Sequence, residues 1–352
     1  MRCIHLIHDD KFFDTARALF DPFPQIQNYY NDLEILASAT DQDVIVIHYL
    51  DENKARIINN IKSNPSIFWI AYGAELYASK YYPLNIYYPL TRFINTINPV
   101  NTLRKLRNIL RPNRLNEFAA SLHKINFVAT PIPEETILFK KYLPGLKAEE
   151  IQLRYGSLEN ILGNALNRDF NLGDGILVAN SNTPSSNHAD AFRFIKRNNW
   201  NGRNVLVPLS YGNEKIYRLM ISFIGRQYFG NHLVISEKFM EINEYVPWVS
   251  SCRTAVFMHE RQQAIGNIII CLWLGMKIYL SRNNPCYSFF KKSGIQLFSI
   301  QDREIDLNEK LPSSIKIHNQ QILQQLYGKE PVLKLVEHFI ATHAKTITEN
   351  IP

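Results

Sequence analysis

Short runs of Val, Ile and aromatic residues recur along the chain, separated by segments in which apolar positions return at helical spacing. Runs that are apolar throughout suit strands covered on both faces, and the helical spacing between them suits crossover helices, so the pattern predicts α/β units on mainly parallel sheets. The strands predicted in the first half are residues 3–8, 44–50, 67–72 and 125–130. In the second half they are 176–180, 205–209, 233–235, 255–258, 277–280 and 296–298. Helices are predicted over 189–196, 214–229 and 268–274, with a helical tail over 318–350.

The turn-rich Asn171-Leu172-Gly173-Asp174-Gly175 breaks this rhythm before it restarts, and a chain of 352 residues exceeds the usual size of a single core. The predicted organisation is therefore a Rossmann-like domain over residues 1–172, a second over 173–330, and a terminal helix over 331–352 packing back towards the first. Two such domains facing each other across a cleft would hold ligands beyond the carboxyl ends of their strands.

Three strand ends in the second half carry polar turns. One is Met258-His259-Glu260-Arg261-Gln262-Gln263-Ala264-Ile265-Gly266-Asn267, leading into an apolar helix. A helix start with unpaired N–H groups, a glycine for close approach and a guanidinium is suited to a diphosphate. A second is Asn180-Ser181-Asn182-Thr183-Pro184-Ser185-Ser186-Asn187-His188, and a third is Leu209-Ser210-Tyr211-Gly212-Asn213. Each alone also reads as an ordinary capping turn. Their coincidence on one rim is what points to a ligand.

The net charge of +7, with a pI near 9.1, favours anionic partners without choosing among them. Residues 76–116 contain no Asp or Glu, but hold Lys80, Arg92, Arg104, Lys105, Arg107, Arg111 and Arg114 among tyrosines. That stretch is expected either to meet an anionic membrane or to be a solvated basic loop. No nucleic-acid module accompanies the charge, so nucleic acid is not an expected partner. The four scattered cysteines suit reduced thiols, and the segment before Asp9 lacks the apolar core of a signal peptide. A cytoplasmic protein, peripheral at the inner face of a membrane, is the expectation.

The rim segments, together with Phe68-Trp69-Ile70-Ala71-Tyr72-Gly73-Ala74-Glu75-Leu76-Tyr77 and Tyr88-Pro89-Leu90-Thr91-Arg92, resemble glycosyltransferase family 56. Its members are TDP-N-acetylfucosamine:lipid II N-acetylfucosaminyltransferases of enterobacterial common antigen assembly. The resemblance implies a GT-B fold, a deoxythymidine-diphosphate sugar donor on the C-terminal domain, and a lipid-diphosphate-linked saccharide acceptor. Ala179 stands where the family often has glycine, Glu75 where it has aspartate, and the Tyr211 loop is shorter. Another nucleotide sugar used in capsule, O-antigen or glycoprotein synthesis fits the same residues, as does a non-catalytic sugar- or lipid-binding scaffold.

Within that frame Arg261 is expected to stabilise the leaving group, and Glu75, aimed by the Tyr72-Gly73 turn, to accept the acceptor's proton. Asn180, Ser181, Ser185, Asn187, Tyr211, Gly212, Glu260, Gln262, Gln263, Gly266 and Asn267 are assigned to the donor, and His8, Tyr72 and Gly73 to the acceptor side. No cofactor and no metal are expected, because the Asp41-Gln42-Asp43 triplet precedes a strand instead of following one. His188 and His259 read as polar rim residues, and Trp69 and Trp273 as core.

Overall fold

The computed structural model describes residues 3–6, 29–30, 38–100, 114–212 and 214–348. It contains two parallel sheets of six strands each, in two compact units.

The first unit comprises residues 1–84, 110–160 and 327–352. Its strands are β1 (Cys3–Leu6), β2 (Tyr29–Tyr30), β3 (Val44–His48), β4 (Ser66–Ile70), β5 (Phe127–Ala129) and β6 (Glu149–Glu150), in the order β2-β1-β3-β4-β5-β6. Successive residues of β4 serve opposite faces of the sheet, as the strand period of two requires. Phe68 stacks on Phe127 at 4.4 Å and meets Phe339 edge-on at 4.8 Å, while Trp69, wholly buried, packs on Phe139 and Phe118. Val332, Val336 and Phe339 of the helix Lys329–Thr348 close the Phe68 side.

The second unit comprises residues 85–109 and 161–326. Its strands are β7 (Gly175–Val178), β8 (Val205–Pro208), β9 (Leu233–Ser236), β10 (Cys252–Phe257), β11 (Lys277–Leu280) and β12 (Phe298–Ser299). Their order, β12-β11-β10-β7-β8-β9, is the doubly wound Rossmann arrangement. The helix Ile265–Leu274 is apolar nearly all round and buries all but a few of its side chains, which a surface helix would not. Trp273, expected in the core, is half-buried.

The unit boundaries differ from those predicted. The chain divides at 160/161, not 172/173, because the Gly173–Gly175 turn belongs to the second unit's packing: Gly173 N donates to Ser250 O and Gly175 N to Ser251 O, both at 2.9 Å. A Cβ on Gly173 would lie 2.4 Å from Ser251 O, so these glycines mark a close backbone approach and not a linker. Residues 85–109 join the second unit through the helix Pro89–Ile97, which packs on the helix His188–Arg197. The predicted tail is two helices, Ser313–Tyr327 and Lys329–Thr348, separated at Gly328. The strands β2 and β6 carry two residues each, and Glu149–Glu150 is exposed and acidic, so neither offered an apolar run to detect.

Candidate functional site

In the second sheet the strand order reverses between β7 and β10, and such a switch point opens a crevice beyond the carboxyl ends of those two strands. The loops that leave them are the first two rim segments read from the sequence. Gln263, in the loop after β10, ties them together. Its Nε2 donates towards Asn180 Oδ1 and Ser181 Oγ at 3.1 Å and towards Ser186 Oγ at 3.2 Å, while Ser185 Oγ donates to its Oε1 at 2.7 Å. Arg261 Nη2 reaches the same Ser185 Oγ at 3.3 Å. Thus Asn180, Ser181, Ser185, Arg261 and Gln263 form one network, with Gln262 buried beside it.

The third loop joins through its backbone. Asn182 N donates to Tyr211 O at 2.6 Å, and Gly212, at φ 108°, lies so close that a Cβ there would sit 2.6 Å from Asn182 O. Glycine is required at this position for both reasons.

A pocket of about 480 Å³ opens beside this network. Asn180, Ser210, Tyr211, Tyr245, Gly266 and Asn267 are among its lining residues. Gly266 and Asn267 belong to the first turn of the helix Ile265–Leu274, whose leading N–H groups have no partner within the helix and no side-chain cap. A side chain at Gly266 would meet nothing within 4 Å, so the space beside this helix start is open. Tyr245 OH donates to Asn267 Oδ1 and fixes that amide. The wall over residues 239–245, which follows β9, went unrecognised in the sequence; only the rule that ligands gather at strand ends pointed there.

Three expectations for this unit need correction. Asn187, assigned to the donor, is wholly buried and left-handed, and its side chain is used internally: Nδ2 donates to Met258 O at 2.7 Å and Ile86 O at 3.0 Å, and Oδ1 accepts from Tyr88 N at 3.0 Å. It positions the loops and has no exposed surface for a ligand. His188 and His259, read as rim residues, are wholly buried. Burial holds the His188 imidazole down at about 3, and burial, then Arg261 and His188, hold His259 well below its ordinary value, so both are neutral. Glu260 is a hub, accepting from Tyr88 OH, from Ser281 Oγ at 2.7 Å and from Asn283 Nδ2 at 2.7 Å.

The basic tract 76–116 is likewise not one surface. It divides between the two units after Leu84, Tyr88 is consumed by Glu260, and residues 101–113 lie outside the described residues. No helix among the described residues is long and apolar enough to cross a membrane.

The first unit has its own pocket, about 420 Å³, beyond the carboxyl ends of β3 and β4. Tyr49, Asp51, Glu75, Lys80, Tyr81 and Phe118 are among the residues that line it. Both Glu75 oxygens accept from Tyr72 N at 3.1 Å, and Oε1 lies 3.4 Å from Trp69 Nε1. Gly73, at φ 89°, makes the turn that folds the carboxylate back over the strand end. Burial pushes Glu75 up to about 7, against the opposing effect of these hydrogen bonds. Lys54 Nζ donates to His48 O and, at 2.9 Å, to Tyr49 O, pinning the end of β3. The Asp43 carboxylate accepts from Thr40 N at 2.8 Å within the turn before β3, and the Asp41 carboxylate accepts from Asn64 N at 2.7 Å, in the loop before β4. His8, assigned to the acceptor side, lies outside the described residues.

Backbone strain concentrates at the same places. Of the six non-glycine residues with left-handed φ among the described residues, Tyr49, Ala179, Asn187 and Ala264 lie in loops leaving β3, β7 or β10, and Asn199 and Asn201 lie in the turn before β8. A left-handed conformation costs a non-glycine residue about 1 kcal/mol or more, and such strain gathers where a loop is held to shape for a ligand. The φ of 60° at Ala179 is one that glycine would adopt without strain.

Residues 160–331 match the family described as 4-alpha-L-fucosyltransferase, glycosyl transferase group 56. The whole chain is similar in fold to an E. coli protein described as trehalose-6-phosphate bound with UDP-2-fluoro glucose, at a TM-score of 0.60 and 9% identity over 98% of this chain and 86% of that one. It is similar too to sucrose-phosphate synthase from Thermosynechococcus elongatus, at a TM-score of 0.58 and 9% identity over 86% of this chain and 74% of the other. A third likeness is to an alpha,alpha-trehalose-phosphate synthase (UDP-forming) from Burkholderia xenovorans in complex with glucose-6-phosphate, at a TM-score of 0.56 and 9% identity, covering 95% and 85%. The fold class is GT-B, as the family resemblance implied.

Proposed function

We propose that this chain, a glycosyltransferase by the group 56 match of its residues 160–331, moves a deoxy or amino sugar from a nucleoside diphosphate to a lipid-diphosphate-linked saccharide, without a metal or other cofactor. The second unit takes the donor. The observation that carries this reading is the Gln263 network at the β7/β10 switch point, adjoining a helix start with unpaired N–H groups and an open pocket. Anionic diphosphates are held at such places by backbone N–H groups and the helix dipole, with Arg261 and the serine hydroxyls completing the set.

In the reaction an acceptor hydroxyl attacks the anomeric carbon. The bond to the diphosphate breaks, its electron pair leaving with the nucleoside diphosphate, and the hydroxyl proton goes to Glu75. A carboxyl held near 7 is half ionised at neutral pH, the range in which a general base is most effective. The pocket around Glu75 in the first unit would take the acceptor saccharide. Thymidine is the nucleoside that the sequence resemblance implies, and the UDP named for two of the fold relatives makes uridine the competing choice.

Thermal melting with TDP, UDP and GDP tests the donor site: stabilisation by one of them is expected, and no stabilisation by any would remove the foundation of the reading. Mass spectrometry of products from a panel of nucleotide sugars and lipid-linked acceptors then names the reaction. Hydrolysis or transfer by none of the panel, in a protein that still binds a nucleotide, would favour a binding scaffold instead.

A further inference from the structure

The second unit presents a face with no role in the sites above. It is built by three helices, Pro89–Ile97, His188–Arg197 and Lys215–Phe229, the middle one packing against both others. The last two connect β7 to β8 and β8 to β9, consecutive right-handed crossovers that place them on the same side of the sheet.

The flanking helices expose large apolar side chains in pairs at four-residue spacing, which puts each pair on one stripe: Phe93 and Ile97 on the first, Leu219 and Phe223 on the last. Phe93, Leu219 and Phe223 are between 64% and 69% exposed, values at which a core residue is never found. Arg92, Arg193, Arg197, Lys215 and Arg226 are exposed on the same helices. The three helices contain a single acid, Asp190, and it is buried with its carboxylate bonded to Leu90 N and Thr91. The face thus offers solvent large apolar groups and an excess of cations, its bordering acids being Glu214 at the start of the last helix and Glu237, paired with Arg218 at 3.7 Å.

We infer that this three-helix face docks the protein on an anionic lipid bilayer, with the Phe93/Ile97 and Leu219/Phe223 stripes entering the headgroup boundary and the arginines meeting lipid phosphates. A protein partner would need a complementary acid-rich, apolar surface. A bilayer supplies both properties together, and basic residues flanking apolar stripes are the pattern of interfacial helices. The inference does not depend on which sugar is transferred, or on transfer at all.

Co-sedimentation of the full chain with vesicles tests it, without nucleotide or sugar. Binding is expected to vesicles of phosphatidylcholine mixed with phosphatidylglycerol, and roughly tenfold less or none to phosphatidylcholine alone or at high salt. Phe93→Ser combined with Phe223→Ser, and separately Arg193→Glu combined with Arg226→Glu, should each weaken binding about tenfold or more. Ile137→Ser and Ile317→Ser, at exposed apolar positions on other helices, should leave it unchanged. Nucleotide-induced melting shifts of the face variants should match the unsubstituted protein, which separates loss of docking from loss of the donor site. Failure to bind the anionic vesicles, equal loss in the control variants, or a self-associated state dissolved by the face substitutions would overturn the inference, the last in favour of a second copy.

Discussion

The carboxylate of Asp190 accepts a hydrogen bond from Thr91 Oγ1 at 2.7 Å, joining residues 99 positions apart, and it accepts from Thr91 N and Leu90 N as well. It therefore caps the start of the helix Pro89–Ile97 from within the helix His188–Arg197, in a site only 8% exposed. Removing a buried carboxylate leaves three donors without an acceptor. Asp190→Ala should destabilise the protein by about 2–4 kcal/mol, and Thr91→Val, which loses one hydroxyl, by about 1 kcal/mol. Chemical denaturation of both variants checks the ordering; an alanine variant no weaker than the valine one would mean the cap contributes little.

Gln263 holds two loops with one amide. Gln263→Ala removes both the donor and the acceptor at the centre, so the Asn180–Ser186 loop loses the bonds that set its shape. Nucleoside diphosphate affinity should fall on the order of tenfold, about 1.4 kcal/mol. Gln263→Glu should lose more, because it places a like charge beside the diphosphate. Isothermal titration with the nucleotide that stabilises the native protein reads both. Undiminished affinity in the glutamate variant would put the phosphates elsewhere.

Most strands were legible because an apolar run bounded by turn residues is local information. The rim loops were legible for a related reason: serine, asparagine and glycine after a strand advertise a shaped turn even where the turn's ligand is unknown. What escaped was whatever depends on long-range contact. Nothing near Thr91 announces that Asp190 will claim it, so residues 85–109 were assigned to the wrong unit. Gly173 looked like a linker because its reason, the Ser251 backbone, lies far along the chain. Asn187 was recognised as important for the wrong task, since a polar residue in a loop looks the same whether it faces a ligand or Met258 O. His188 and His259 read as rim because histidine is commonly exposed, and only the packing shows them buried.

Those two histidines make stability fall in acid. Each has a folded-state pKa depressed by burial, so the unfolded chain binds protons first, below its ordinary value of 6.5. Their contribution is intact above about 6.5 and is lost as pH falls; His188 alone should cost about 2 kcal/mol at about pH 5. Glu75 acts oppositely. Its pKa is raised from 4.5 to about 7, so the folded state keeps its proton longer, and its contribution is present below 4.5 and declines as pH rises to 7, by about 3 kcal/mol. Glu75→Gln should therefore steepen the loss of stability between about pH 6.5 and 5, because the partial compensation is gone. Denaturant midpoints across this range check it; parallel profiles for the two proteins would show that Glu75 does not titrate as the structure places it.

The same raised pKa carries a kinetic consequence. A general base works only when deprotonated, so kcat/KM should rise with pH along an acid limb whose apparent pKa is near 7 and fall about tenfold per unit below it. The cause is burial against the strand end, not a neighbouring negative charge, so the limb should move little with added salt, which screens exposed charges far more than buried groups. Glu75→Gln keeps an oxygen able to accept from Tyr72 N and so preserves the turn, while removing the base. Transfer should drop by roughly 10²–10⁴-fold with nucleotide-induced stabilisation intact, because the donor is bound by other residues. A glutamine variant that retains full activity, or a flat profile from about pH 5.5 to 8.5, would show that the departing phosphate takes the proton and that Glu75 serves to shape the pocket.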